Sequence, residues 1–514
     1  MKKKILIYFI LIFLLVIKNK SYEKFSENND EEEEKKKKAF RDSVMELQTD
    51  ADIKNHTKWT ADNVYMLAGF VYVEKGEALT IEAGTVIKGM PGQGDGASAL
   101  IVAQGGKIYA NGTRNNPIIF TALSDDLTDS ADLGPSDKGL WGGLIILGKA
   151  RLNSPSAVEQ NGFIVDNIEG IPVTDIRGEF GGDDDNDNSG VIRYVSIRHG
   201  GSVIGADNEI NGLTLGGVGR GTTVEYVEVF ANKDDGIEFF GGTVNTSNMV
   251  SAFCGDDAFD WDQGYRGNNK YWFVIQDESG DNALELDGDV DDFTKTPLTQ
   301  GSVQFSTFIG ANSNRCIRAR ENTGLHFYNN IVTDYKDGIK VDSNAEGRLL
   351  DGGIEFKNSI FSNVATLSND VAEWIFQDAE LNLAVSDGSV VSVSRTQSSS
   401  LDPRSLSDNG YGAFEPNKPL WTDGWSFLYN GGFTAKESTK VVDYTPTIQQ
   451  GWSVVGVPYN KNYTVSELFG NTPITVYYWD GSSFSINGFD ADFEEWDEPN
   501  QQLKAGAGVW ILND

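Results

Sequence analysis

The stretch "FANKDDGIEFFGGTVNTSNMVSAFCGDDAFDWDQG", residues 230–264, holds one phrase twice: Asp235-Gly-Ile-Glu-Phe and, 22 positions later, Asp257-Ala-Phe-Asp-Trp. The phrase continues in register as Asn282-Ala-Leu-Glu-Leu, Arg315-Cys-Ile-Arg-Ala and Asp337-Gly-Ile-Lys-Val, at intervals of 25, 33 and 22 residues. A second alternating run precedes each copy, such as "VEYVEVF" (224–230), "YWFVI" (271–275) and "LHFYNNIV" (325–332). A period of about 20–30 residues with two or three short strands marks a solenoid whose coils stack in parallel, and the best fit is a right-handed β-helix. The 33-residue interval is then one coil plus a loop at "DGDVDDFTKTPLTQG" (287–301). The Leu-x-x-Leu-x-Leu phrase of a leucine-rich horseshoe is missing.

Alternation across a strand assigns each position of the phrase to a side. Ile237, Phe259, Leu284, Ile317 and Ile339 form one inward ladder, and Phe239, Trp261, Leu286, Ala319 and Val341 the next. Between them Glu238, Asp260, Glu285, Arg318 and Lys340 point outward, one per coil, about 4.8 Å apart. Like charges opposite one another in a sheet repel. The acidic end of this row, Glu238, Asp260 and Glu285, is therefore a candidate site for a divalent cation or a cationic partner. A second candidate is "GGDDDNDNSG" (181–190), where Asp183, Asp185 and Asp187 at i, i+2 and i+4 could converge on calcium. Asn188 stands where an EF-hand would have its turn glycine, and no glutamate occupies the twelfth position. Calcium is the cofactor expected; no organic cofactor is.

The chain of 514 residues carries 42 basic and 76 acidic side chains, a formal charge of -34. Residues 1–40 contain 10 Lys against 7 acids, so the remainder, with 32 basic and 69 acidic residues, is near -37. Such a surface repels nucleic acid and anionic membranes and favours cations. The two cysteines, Cys254 and Cys316, sit at different offsets of the repeat and are expected as free, buried thiols.

"MKKKILIYFILIFLLVIKNK" places three lysines before an apolar run, Ile5 to Ile17, which is the layout of a secretory signal or an uncleaved anchor over residues 1–20. An extracellular or cell-surface location follows, with membrane attachment through this segment. Residues 21–56, with "SENNDEEEEKKKK", read as a charged flexible stalk. The β-helix is expected over 57–377, its end and a linker over 378–440, and a small all-β module over 441–514. In that module Trp452, Trp479 and Trp510 serve either as core and rim or as a glycan platform.

Several ordered phrases also carry a resemblance: "LTIEAGTVIKG" (79–89), "ALIVAQGGKI" (99–108), "GLWGGLIILG" (139–148), "GVIRYVSIRHGG" (190–201), "NKDDGIEFFGGTVN" (232–245) and "YGAFEPNKPLWTDGW" (411–425). Over residues 57–432 the chain resembles exported or surface-attached bacterial β-helix proteins of the pectin-lyase-like class, most of them described by architecture and export alone. The resemblance implies the fold and export, and a binding or structural role toward a glycan or a surface protein.

A polysaccharide lyase or hydrolase is the alternative. "CGDDAFD" (254–260) is similar to the Gly-Asp-Asp phrase of polygalacturonase-type hydrolases, but the one His-Gly, at His199, precedes the acids and no Arg-x-Lys follows them. His199 therefore reads as a hydrogen-bonded strand residue. A calcium-plus-arginine lyase would draw on Glu238, Asp260 and Glu285 with Arg318 or Arg320. Residue types alone assign no catalytic residue here.

Overall fold

The structure is a computed structural model. It describes residues 44–49, 53, 55–386 and 401–434, apart from 130, 155–157, 161, 206–207, 290–291, 312, 407–409 and 417, together with parts of 451–513. Residues 1–20, read from the sequence as a signal or anchor, and most of the charged segment after them lie outside the described residues. Among the described residues no helix is long and apolar enough to cross a membrane.

Short β-rich runs dominate because the sequence alternates apolar and polar residues over four or five positions and then breaks at Gly, Asn or Asp. The runs stack as coils with three faces. Strands of the first two faces belong to a 19-stranded sheet, and those of the third form a 10-stranded sheet. All the pairings that stack coils on one another are parallel, as in a right-handed β-helix. In Gly190–Arg198, Thr223–Phe230 and Thr246–Ala252 the first half of the strand lies on the first face and the second half on the second.

The corner between these two faces is turned by one residue per coil with positive φ: Tyr194, Tyr226, Asn248, Tyr271, Phe305, Asn329 and Asn358. A further corner follows five residues later at His199, Ala231, Phe253, Asp334 and Asn363. Asparagine suits this left-handed conformation because its short amide bonds locally; an aromatic residue gains nothing from it.

The third face has the register read from the phrase. Ile237 pairs with Phe259, Glu238 with Asp260 and Phe239 with Trp261. Asp260 pairs onward with Glu285, Glu285 with Arg318 and Arg318 with Lys340. Both inward ladders are buried, and Phe259 stacks on Trp272 with ring centroids 3.8 Å apart. Residues 287–300 form the loop between Asn282–Leu286 and Gly301–Gln304, as the long interval required. Cys254 and Cys316 are free and buried.

The stacking begins earlier than the sequence placed it. Val44–Gln48 pairs with Asn63–Leu67, inside the segment read as stalk, because five alternating residues flanked by charge leave too weak a pattern to recognise. At the other end Leu383–Ser386 pairs with Ser359–Ser362. Residues 401–434 then run back along the second face, burying Leu401, Phe414, Leu420, Trp425, Leu428 and Phe433 against Phe230, Phe253 and Phe273. The carboxylate of Glu228, fully buried, accepts the backbone N–H groups of Phe427 (2.7 Å) and Leu428 (2.8 Å) and so holds the start of the short helix Phe427–Asn430. Within 451–513 an antiparallel sheet includes Gly451–Gly456, Gly508–Asn513 and Thr475–Trp479. The side chains of Trp452, Trp479 and Trp510 lie outside the description.

Candidate metal centre on the third face

The outward side of the third face is one continuous row that changes character along the stack: Tyr72, Ile101, Ile145, Thr214, Glu238, Asp260, Glu285, Arg318, Lys340. Its apolar start is covered. After Leu144–Leu147 the chain leaves the stack, and Leu152, Ile168, Ile171 and Phe180 from this excursion pack on Tyr72, Ile101, Ile145, Leu147 and Phe240. The acidic part begins where this cover ends. Glu238 is consequently only 9% exposed, not the solvated side chain expected of an outward ladder, and it accepts a hydrogen bond from Nδ2 of buried Asn211.

Two further acids join the row from the first position of each phrase. Oδ1 of Asp235 accepts the N–H of Asp257 (2.8 Å), and Oδ1 of Asp257 accepts the N–H of Asn282 (2.6 Å). These coil-to-coil bonds turn the carboxylates toward Glu238 and Asp260. One oxygen each from Asp235, Glu238 and Asp260 lies within 4.8 Å of the others, and the same holds for Asp257, Asp260 and Glu285. Asp234, Asp235 and Asp256 make another such trio at the edge, as do Asp256, Asp257 and Asp281. Asp235 and Asp257 were visible in the repeat as its recurring first residue, but the strand pattern gave them no side, because they precede the strand.

Charge compensation is one-sided. Glu285 is paired with Arg318 (3.1 Å) and Arg320 (3.0 Å), and Arg320 also binds Asp287. Among the described residues no cationic side chain forms an ion pair with Glu238, Asp260, Asp235 or Asp257, and Oδ1 of Asp260 is buried without a hydrogen-bond donor. Burial, and then mutual repulsion, pushes all four carboxyls well above the usual range. Asp262 is raised in the same way, first by burial and then by Asp287. Burial together with Asp256 pushes Asp234 up to about 6. For Glu285 burial also dominates, partly offset by Arg320 and Arg318. Seven acids with raised proton affinity are thus held on neighbouring coils, and those whose oxygens converge could hold a cation. Hard carboxylate oxygens in this number suit calcium.

A model of the pectate-lyase-like beta helix domain matches residues 51–426. The chain belongs to that family. The match covers the stack except its first strand, Val44–Gln48, and extends into the returning segment as far as Ser426, so the third face and its acids are part of the family domain. No curated protein and no solved structure matches the chain.

The other sequence candidate is not assembled by this family fold. Asp183, Asp185 and Asp187 do not bring their oxygens together: Asp183 is exposed, Asp187 is buried beside Ser189 (3.3 Å), and Asp185 pairs with Arg151 and with Arg266 (2.9 Å). Burial raises the Asp185 carboxyl, but hydrogen bonds from Arg151 and the charges of Arg266 and Arg151 outweigh it and hold the group at about 2. A carboxylate already neutralised by two guanidinium groups is a poor cation ligand, which corrects the calcium-loop expectation. Arg266 could not be foreseen at this site because it lies 81 residues away in sequence. His199 is 1% exposed, with Nδ1 2.7 Å from the carbonyl of Asp137, away from the acids.

Proposed function

We propose that this β-helix is an exported binding protein that holds a calcium ion on its third face, at Glu238, Asp260, Asp235 and Asp257, and engages a glycan or a surface protein there. The observation that carries the reading is Asp260: it sits between Glu238 and Glu285, has a buried oxygen without a donor, and faces no cation of its own. Leaving such a group ionised and uncompensated is unfavourable, and a divalent ion would offset that cost. Isothermal titration of the purified chain with CaCl2 tests this. Saturable binding that disappears in Asp260→Asn is expected, and a wild type that takes up no heat above dilution overturns it.

A calcium-dependent polysaccharide lyase is the second reading, favoured by one observation: Arg318 and Arg320 flank Glu285 on the coil after the acids. There an arginine in its neutral guanidine form would take a proton from a sugar carbon acidified by a cation-bound carboxylate, the electron pair forming the new C=C bond as the glycosidic oxygen leaves. Incubation with polyuronates with and without CaCl2, followed by absorbance of unsaturated ends, separates the two. Binding without unsaturated product supports the first. Export is tested by fractionation, with the protein outside the cytoplasm or on an outward-facing membrane; a soluble cytoplasmic pool with intact N-terminus would end that part of the proposal.

A further inference from the structure

The corner between the first two faces carries a feature that neither the fold nor the acidic row uses. Its residues all take positive φ, which asparagine tolerates and bulky side chains resist. Asn248 (φ 55), Asn329 (φ 61) and Asn358 (φ 47) occupy it in their coils, yet Tyr271 (φ 57) and Phe305 (φ 53) occupy it in the coils between. The aromatic residues of the earlier coils are accounted for by packing: Tyr194 and Tyr226 stack at 4.4 Å and are met edge-on by Trp425 of the returning segment. Tyr271 has no such partner. Among the described residues its one ring neighbour is Phe305, and it is 39% exposed.

The two rings are inclined by 26° with centroids 5.9 Å apart. At that distance near-parallel rings must be laterally offset, so each leaves part of its face uncovered, unlike the close pair Phe259 and Trp272 inside the core. Lys270 and Gln304 immediately precede the rings and pair across the coils, and Asn248 holds the same corner position one coil earlier. A strained aromatic pair, Tyr271 exposed and Phe305 half-buried, where the neighbouring coils use asparagine is an outlier from which a functional hypothesis follows. An exposed tyrosine ring paired with a second aromatic, next in sequence to an amide and an ammonium side chain, fits the apolar C–H face and hydroxyl rim of an uncharged sugar.

We infer that Tyr271 and Phe305 form a platform for a neutral glycan, separate from the third face and independent of any cation. The test is affinity gel electrophoresis of the native protein in EDTA through gels containing hydroxyethyl cellulose, galactomannan, arabinoxylan or a β-1,3-glucan. Retardation by at least one of them is expected, with affinity at least tenfold weaker in the double variant Tyr271→Asn, Phe305→Asn and unchanged in Asp260→Asn. Asparagine is chosen because the adjacent coils show that the corner accepts it. Nitration of the wild type by tetranitromethane, mapped by mass spectrometry, gives a readout that does not depend on the variant folding: Tyr271 should react in the free protein and be protected by the retarding polysaccharide. Absence of retardation in all four gels, equal retardation of the double variant, or unprotected Tyr271 in the bound protein would each overturn the inference. Because EDTA is present throughout, failure here leaves the calcium site untouched, and loss of calcium binding leaves this platform standing.

Discussion

Replacing Asp260 by Asn should have opposite effects on stability in two buffers. The carboxylate faces Glu238 on one side and Glu285 on the other, and like charges directly opposite in a sheet destabilise by about 0.2–1 kcal/mol per pair. Glu285 is already compensated by Arg318 and Arg320, so the relief comes mainly from the Glu238 side. In EDTA at pH 7.5 the variant should gain about 0.5–1 kcal/mol, a rise of roughly 0.5–1 °C in the melting midpoint for a chain of this size. With calcium at about a hundred times its dissociation constant, the wild type gains about 2.7 kcal/mol from ligand binding. The variant, lacking the central ligand, gains little of that and should melt below the wild type. Solenoids can melt in segments, so the comparison uses the transition followed by the fluorescence of buried tryptophans such as Trp261 and Trp272. A shift of the same sign and size in both buffers would mean that the row is merely a row of charges, and the cation argument would fail.

The raised carboxyls fix the sign of the pH dependence. A group whose proton affinity is higher folded than unfolded binds more protons in the native state, so stability falls as pH rises through the window between its unfolded value near 4 and its folded one. Asp234, at about 6, and the more strongly raised Asp235, Glu238, Asp257 and Asp260 should make the EDTA form lose stability from about pH 4 upward through pH 6 and beyond, and calcium should flatten that decline; urea titrations at several pH values measure it. Arg320→Ala removes one partner of Glu285 and the partner of Asp287, so it should lower the EDTA melting point while tightening calcium binding in calorimetry, as Glu285 becomes free to act as a ligand. Glu228→Ala removes the carboxylate that accepts from Ser196, itself the acceptor of Arg198, and frees the backbone donors of Phe427 and Leu428, a loss of about 1–3 kcal/mol for each donor left buried and unpaired; limited proteolysis should then cut first within 401–434.

Periodicity made the stack legible from sequence. In a parallel stack each coil repeats the contacts of the one before, so inside and outside follow from parity within a five-residue phrase, and Ile237 through Val341 fall where alternation puts them. The pairing of Glu238 with Asp260 and of Asp260 with Glu285 follows from the same register. What surrounds that row is set by segments distant in sequence. The excursion after Leu147 covers the apolar start of the row, and Asn211 closes on Glu238, which turns an expected solvated ladder into a nearly buried one. Arg151 and Arg266 meet at Asp185 and neutralise the loop that spacing alone made a calcium candidate, while Glu228 finds its donors 199 and 200 residues away. Sequence spacing specifies which residues repeat along the stack. Which charges are compensated depends on contacts across the stack and from the returning chain, and these obey no period, so the tertiary structure alone decides them.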